Sequence, residues 1–136
     1  LNTAIVESSY PDTSVISDEN TIDISQNGYA NETVLTLGTV MDSSSNQIDL
    51  SQDGELNAID LMVEGLGNSI DIMQEGNLNL VAGISEGAFI VSGDENSVTI
   101  SQVGDGNLVE GSVTGTGNTV AVTQIGDFNS LTVIQQ

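Results

Sequence analysis

A short frame of residues recurs along this chain and limits what the chain can fold into. In ISQNGYAN, residues 24–31, an aliphatic residue is followed by glutamine after two positions, glycine after four and asparagine after seven. The frame returns as LSQDGELN, IMQEGNLN, ISQVGDGN and VTQIGDFN, at residues 50–57, 72–79, 100–107 and 122–129. Five copies in a chain of 136 residues indicate a repeat architecture.

Asparagines mark the boundaries of the repeat. One opens each copy, at intervals of 26, 22, 28 and 22 residues, and another follows 11 residues after each opener. The period is therefore 22, with insertions near 38–45 and 84–95, between the second asparagine and the next unit. We expect a degenerate first unit, 1–19, and then five repeats that form one solenoid. The repeats are 20–45, 46–67, 68–95, 96–117 and 118–136.

Each half of the repeat has the pattern of a β-strand. The second and fourth residues after every opener are aliphatic, as at Ile22 and Ile24, and mostly polar residues surround them. This period of two is typical of a half-buried strand. Gly83 and Gly111 interrupt the pattern in the second half, which predicts a thin or re-registered core there. Phe89, in the longer insertion, is predicted either to contact a neighbouring molecule or to fold back over the thin core.

Two short strands cannot bury an apolar face alone, so the repeats must stack on one another. Halves of constant length favour parallel, in-register stacking with a rise of about 4.8 Å per rung. The predicted fold is all-β, a cross-β parallel solenoid of about six two-stranded rungs, with Asn2 opening the first. Both ends of such a stack offer strand edges to another copy, which predicts a head-to-tail filament.

Stacking in register explains why the spacing of polar residues is the same in every copy of the frame. Glycine between the two halves permits the positive φ that a tight arc needs. Glutamine and asparagine amides at equal positions are expected to hydrogen-bond their own copies above and below. The predicted structural positions are Asn20, Asn46, Asn68, Asn96 and Asn118; Gln26, Gln52, Gln74, Gln102 and Gln124; Gly28, Gly54, Gly76, Gly104 and Gly126; and Asn31, Asn57, Asn79, Asn107 and Asn129.

Composition excludes several classes of function. The chain carries 20 acidic residues and no Lys, Arg or His, so it has no group to neutralise a phosphate, and we expect no nucleic-acid binding. Without His or Cys it lacks the usual catalytic bases, thiol nucleophiles and transition-metal ligands, and we expect no enzyme. Several of its many carboxylates lie at equal positions in successive repeats, which indicates a repeated structural role and not the acid pair of a glycosidase. No apolar run approaches the length of a membrane span.

Acidic residues are also predicted to stack. Asp23, Asp49 and Asp71 hold the same position in successive repeats, which would bring like charges about 4.8 Å apart. Such a ladder shares protons, is bridged by a cation such as Ca²⁺, or is screened by salt. A solvated acidic face that keeps the chain soluble is the other interpretation. We therefore expect no cofactor, with Ca²⁺ as the single candidate ligand.

The frame Gln-x-Gly-x-x-Asn, repeated about every 22 residues, resembles the curlin repeat of bacterial curli, which are extracellular functional amyloid fibres. The likeness covers residues 20–136 well and the first 19 poorly. Two details differ, because asparagine replaces the usual opening serine and the usual closing glutamine of the second strand is mostly absent. The closing positions hold Leu37, Val63, Ser85, Val113 and Gln135.

The resemblance implies a secreted structural subunit that polymerises as biofilm or cell-surface matrix. It implies three kinds of partner: further copies of the chain, a nucleator subunit and an outer-membrane secretion apparatus. Two alternatives stay open: the minor nucleator of such a fibre, and a monomeric solenoid for calcium-dependent adhesion or ice binding. Outward threonines are sparse for an ice-binding face, since Thr21 and Thr119 share a position that Gln47, Ser69 and Ser97 interrupt.

Overall fold

The computed structural model describes residues 1–8 and 17–136, and within these ranges the regular structure consists only of β-strands. The strands are β1 (Thr3–Ser8), β2 (Ser17–Asp18), β3 (Thr21–Tyr29), β4 (Glu32–Leu37), β5 (Ser43–Ser44), β6 (Gln47–Glu55), β7 (Ala58–Leu66), β8 (Ser69–Glu75), β9 (Leu80–Ala82), β10 (Phe89–Ser92), β11 (Ser97–Val103), β12 (Leu108–Thr114), β13 (Thr119–Ile125) and β14 (Ser130–Gln135).

Two parallel sheets face each other. The first-half strands form one sheet in the order β3-β6-β8-β11-β13, and equal repeat positions pair throughout, as Ile22 pairs with Ile48. The second-half strands follow the order β1-β4-β7-β10-β12-β14, with β9 also lying between β7 and β12. The predicted fold class, an all-β parallel solenoid, is confirmed.

The hydrophobic core lies between the two sheets. Inward residues alternate with exposed ones along β6, where Ile48 and Leu50 are buried and Gln47 and Asp49 are exposed. The same alternation in each later first-half strand stacks aliphatic side chains in two rows along the axis. Each fully buried aliphatic side chain contributes about 1.5 to 3 kcal/mol. The core therefore extends with every added rung.

In the described residues the solenoid has about five turns, so the expected count of about six rungs is one too high. Thr3 pairs with Glu32, and the Asn31 backbone N–H donates to Asn2 Oδ1 at 3.1 Å, as the Asn57 N–H donates to Asn31 Oδ1. Asn2 therefore holds the second asparagine position, and the prediction that it opens a rung is also wrong. Strand β1 is a second-half strand, and no described strand pairs with the outer edge of β3 in the other sheet. Residues 9–16 of the expected first unit lie outside the described residues.

The longer insertion interrupts a strand instead of lying at the edge of the solenoid. Residues 83–88 leave the sheet between β9 and β10, and Phe89 then pairs with Leu61 in β7. Phe89 is fully buried in the core, so its prediction as a contact with a neighbouring molecule is wrong. Its ring occupies the row where Gly83 was expected, because the bulge shifts the register by six residues. Gly111, in the next strand, leaves the same row without a side chain.

The same shift corrects the closing position of the third repeat. Val91 pairs with Val63 on one side and Val113 on the other, whereas Ser85 lies in the bulge. The shorter insertion, 38–42, does lie between strands, since β4 ends at Leu37 and β5 begins at Ser43. Insertions thus enter at two different places on the second-half side of the solenoid.

Removal of the Phe89 ring tests the corrected register. Phe89→Ala is expected to lower the free energy of unfolding by about 3 to 5 kcal/mol, because a buried aromatic leaves a cavity. Phe128→Ala is the matched control: Phe128 is 81% exposed, and its loss is expected to change stability by less than about 0.5 kcal/mol. Guanidinium unfolding followed by circular dichroism measures both. Equal effects of the two variants would contradict the register.

Candidate functional site

A ladder of buried glutamines runs the length of the solenoid. From Gln26 to Gln102, each side-chain Nε2 donates to the Oε1 of the glutamine in the following rung, at 2.8 to 2.9 Å. Each also donates to a backbone carbonyl of the facing sheet, as Gln74 Nε2 does to Ala58 O at 3.0 Å. The members are Gln26, Gln52, Gln74, Gln102 and Gln124. These bonds fix each rung to the next at one register.

Two ladders of asparagines flank the glutamines and run the other way. In both, Nδ2 donates to the Oδ1 of the preceding rung, as Asn68 does to Asn46 at 3.0 Å and Asn79 to Asn57 at 3.1 Å. The same Oδ1 accepts the backbone N–H of the following asparagine. Opening members are Asn20, Asn46, Asn68, Asn96 and Asn118, the last joined through its backbone N–H. Second members are Asn31, Asn57, Asn79, Asn107 and Asn129.

The amides of the inner rungs are almost fully buried, so their pairing contributes to stability. Gln74, Gln102 and Asn107 have no exposed surface, and no buried side-chain nitrogen or oxygen in the described ranges lacks a hydrogen-bond partner. A buried amide left unpaired costs about 1 to 3 kcal/mol. Each amide thus depends on the rungs above and below it.

Glycines form the arc between the two halves and stack closely. Gly28, Gly54, Gly76, Gly104 and Gly126 all have φ between 101° and 128°. A Cβ added at Gly54 would lie 1.9 Å from the carbonyl oxygen of Gly76, so any side chain there would separate the rungs. The frame therefore requires glycine for the close approach of successive rungs as well as for its φ.

Sequence reasoning missed the residue two positions after each of these glycines. Ala30, Leu56, Leu78 and Phe128 adopt left-handed backbone angles, with φ between 56° and 59°. This conformation costs a non-glycine residue about 1 to 2 kcal/mol. Leu56, Leu78 and Phe128 are also exposed, so the arc carries an apolar row on its outer surface. Their residue types gave no signal of this conformation, because leucine and phenylalanine are not typical of it.

The three stacked aspartates lie where the sequence placed them. Asp23 pairs with Asp49 and Asp49 with Asp71 on the exposed face, and Thr99 follows in the next strand. Within residues 1–8 and 17–136, no group of three or more acidic side chains is arranged to hold a metal ion.

Glu64 organises the shorter insertion. Its Oε1 accepts the backbone N–H groups of Thr39 and Val40, at 3.0 and 2.8 Å, and the Thr39 hydroxyl. Burial raises the pKa of the Glu64 carboxyl, but these hydrogen bonds and one from the Met41 amide outweigh it and lower the pKa. At Asp60 the opposite holds, since burial and the nearby Glu32 charge raise its pKa. Glu64 was not among the predicted site residues.

At the two end faces of the stack, aliphatic positions that are buried in the inner rungs are partly exposed. Ile22 and Ile24 in β3 are only half-buried, whereas their partners Ile48 and Leu50 are at most 1% exposed. At the other end Leu131 in β14 is 40% exposed, although its partner Val109 is fully buried. In the described structure the outer edges of β3, β1, β13 and β14 pair with no further strand.

These features define a class of protein, a β-solenoid of repeated strand-arc-strand units that pair like residue with like. A family model, the curlin associated repeat, matches residues 44–76 and 93–136, which is more than half of the chain. The chain belongs to the curlin-repeat family, which is structural and non-enzymatic. Comparisons with curated proteins and with solved structures found no match. No helix capable of crossing a membrane occurs in the described part of the chain.

The glutamine ladder is tested at its centre. Gln74→Leu removes the side-chain acceptor of Gln52 Nε2 and the side-chain donor to Gln102 Oε1, and we expect a loss of about 1 to 3 kcal/mol in the free energy of unfolding. Gln47→Leu, at an exposed position of the neighbouring strand, is the matched control. If Gln47→Leu is as destabilising as Gln74→Leu in guanidinium titrations, the ladder does not stabilise the stack.

Glu64 is expected to make stability depend on pH. Its folded pKa lies below the unfolded value of about 4.3, so its contribution is present above that pH and is lost as pH falls through the folded pKa. Glu64→Gln is expected to cost about 1 to 2 kcal/mol at pH 7 and nothing once wild-type Glu64 is protonated.

Asp60→Asn is the control of opposite sign. Its raised pKa means that the ionised carboxyl disfavours folding at pH 7, so the variant is expected to gain stability there and to lose that gain in acid. Urea midpoints measured from pH 7 down to pH 2 compare the two variants. A Glu64→Gln effect independent of pH would contradict the role given to the carboxylate.

Proposed function

We propose that this protein is the structural subunit of an extracellular fibre, and that the fibre grows by head-to-tail stacking of solenoids. The observation that carries the proposal is the pair of end faces. Each presents an open parallel strand edge and an incompletely buried aliphatic row, in the same register that joins rungs within the chain. A second copy is a partner with the required register at every position.

The interior of the solenoid indicates what a junction between copies would contain. Between β11 and β13 seven residues pair in register, Ile100 stacks on Val122, and Gln102 donates to Gln124. A junction with β13 of one copy against β3 of the next would place Val122 beside Ile24 and Gln124 beside Gln26. Burial of such exposed aliphatic surface contributes about 25 cal/mol per Å². The junction would therefore contain the same kinds of residue pair as the interior of the solenoid.

The terminal strands at one end of the stack, β13 and β14, lack the features that prevent edge pairing in monomeric proteins. Such edges usually carry lysine, proline or an inward-pointing charge. Strand β13 reads TVAVTQI and β14 reads SLTVIQ, without a charged residue or proline in either. A heterologous contact between opposite ends does not close into a ring, so its product is a filament.

Membership of the curlin-repeat family supports the extracellular setting of this proposal. In that setting the fibre contributes to a biofilm or cell-surface matrix, and a nucleator and a secretion apparatus are its partners. The 20 acidic residues keep the separate chains apart through charge repulsion before assembly.

Incubation of the purified chain tests the proposal. We expect unbranched fibres in negative-stain images and a meridional reflection at about 4.7 to 4.8 Å in fibre diffraction. Seeded growth is expected to add monomers without a lag, since a fibre end already holds strands in the required register. Persistent monomers without this reflection would contradict the fibre and favour a monomeric adhesive solenoid.

Two neighbouring residues of β14 give a matched pair of variants. Val133 faces the core row and Ile134 is exposed on the outer face, with 62% of its surface accessible. Val133→Lys puts an ammonium group into the junction and is expected to slow seeded elongation about tenfold or more, because burying an unpaired charge is costly. Ile134→Lys is expected to leave the rate almost unchanged. Equal rates for both variants would place the growing contact elsewhere.

A further inference from the structure

Strand β1 gives the stack a stepped end. All six of its residues pair with β4, from Thr3 with Glu32 to Ser8 with Leu37. No described strand pairs with the outer edge of β3, which lies in the other sheet of the same rung. Among the described residues, one half of this end face is covered by β1, and no strand covers the other half.

Strand β1 occupies the place that a preceding rung would take. Asn2 Oδ1 accepts the Asn31 backbone N–H at 3.1 Å, the contact that Asn107 Oδ1 makes with the Asn129 N–H at 3.0 Å inside the stack. In that respect Asn2 stands in for the second asparagine of another rung. Strand β1 thus occupies the position on β4 that the last second-half strand, β14, of another copy would take.

Strand β1 offers β4 a smaller apolar face than β14 would. Ala4 and Val6 hold the inward positions of β1, since they pair with the buried Thr33 and Leu35. Val6 is nevertheless 47% exposed. The corresponding inward residues of β14 are Leu131 and Val133, so β14 offers a larger apolar side chain than Ala4 at the first position. A strand with a larger apolar face gains more from covering β4.

A complete rung from another copy and β1 cannot occupy the end face together. Only the four residues 126–129 connect β13 to β14, so the two strands arrive as one unit. If β14 pairs with β4, then β13 reaches the open edge of β3, and both sheets continue. If β14 instead stacks outside β1, a gap one strand wide remains along β3.

We propose that β1 is a displaceable cap. When copies join, β14 of one copy replaces β1 on β4 of the next, while β13 pairs with β3. This inference rests on the proposed head-to-tail fibre and specifies its junction. The incoming rung provides a first-half strand for the edge of β3, where no described strand pairs, together with a Gln124 amide positioned to donate to Gln26 of the next copy. Release of β1 is consequently a step in every addition.

A disulfide that locks β1 tests this step. Ile5 and Val34 are register partners, and neighbouring strands place their Cα atoms about 4.8 Å apart, within the range of a disulfide. The chain has no cysteine of its own, so Ile5→Cys/Val34→Cys introduces a single pair. We expect the oxidised double variant to elongate wild-type seeds at least about tenfold more slowly than the same variant after reduction. Each single variant, kept monomeric by a blocked thiol, is expected to elongate equally with and without reductant.

Cross-linking within the fibre identifies the strand that covers β4. Thr132 of β14 holds the repeat position of both Val34 and Ile5, each three residues after its asparagine. Fibres grown from mixed Thr132→Cys and Val34→Cys chains are expected to give disulfide-linked dimers on oxidation. Fibres from mixed Thr132→Cys and Ile5→Cys chains are expected to give none.

The outcomes separate this inference from the function on which it rests. Absence of fibres from wild-type and reduced protein would overturn the proposed function and the cap together. Equal growth of oxidised and reduced Ile5→Cys/Val34→Cys protein, or cross-links from Thr132→Cys to Ile5→Cys, would overturn the cap and leave the fibre intact. Slow oxidised growth with cross-links to Val34→Cys supports both.

Discussion

The pairing of each residue with its own equivalent one rung away is the interaction on which the rest of this structure depends. Amides of glutamine and asparagine are costly to bury, and in the inner rungs they lie almost without exposure because an identical amide is within hydrogen-bond reach. The glycine arcs allow the rungs to approach closely enough for these bonds. A slip by one residue would break every ladder and turn the aliphatic rows outward at once. Register and stability are thus the same property in this fold.

The ladders also explain why the insertions are tolerated where they occur. Both enter among the second-half strands, away from the glutamines and from the arc glycines, so neither interrupts a ladder. At 83–88 the core row is completed by Phe89, and at 38–42 the Glu64 carboxylate collects the backbone N–H groups of Thr39 and Val40. Each insertion is therefore matched by a specific compensating side chain. Phe89 fills the core beside one insertion, and Glu64 accepts hydrogen bonds from the backbone of the other.

The sequence predicted the parts of the fold that repeat and failed where the repeat is broken. Alternation around Ile48 and Leu50, and the fixed spacing of Gln52, gave the strands and their stacking, because a repeat imposes the same environment on equal positions. Asn2 was misplaced because both halves begin with asparagine, and only strand pairing shows which half it opens. The repeat spacing shows that six extra residues are present, but the residue types at 83–88 do not show where they leave the strand. The left-handed angle at Leu78 depends on the backbone path and leaves no trace in residue type.

The opposite directions of the glutamine and asparagine ladders give the two ends of the stack different chemistry. Inside the stack each glutamine donates to the following rung and each asparagine to the preceding one. At a junction, one face would therefore supply glutamine N–H groups and asparagine oxygens, and the other glutamine oxygens and asparagine N–H groups. Two faces of the same kind would oppose donor to donor and acceptor to acceptor, whereas unlike faces match at every ladder. Broken pieces of a filament built this way would rejoin in one orientation only. Polarity is consequently fixed by side-chain amides, in addition to the direction of the strands.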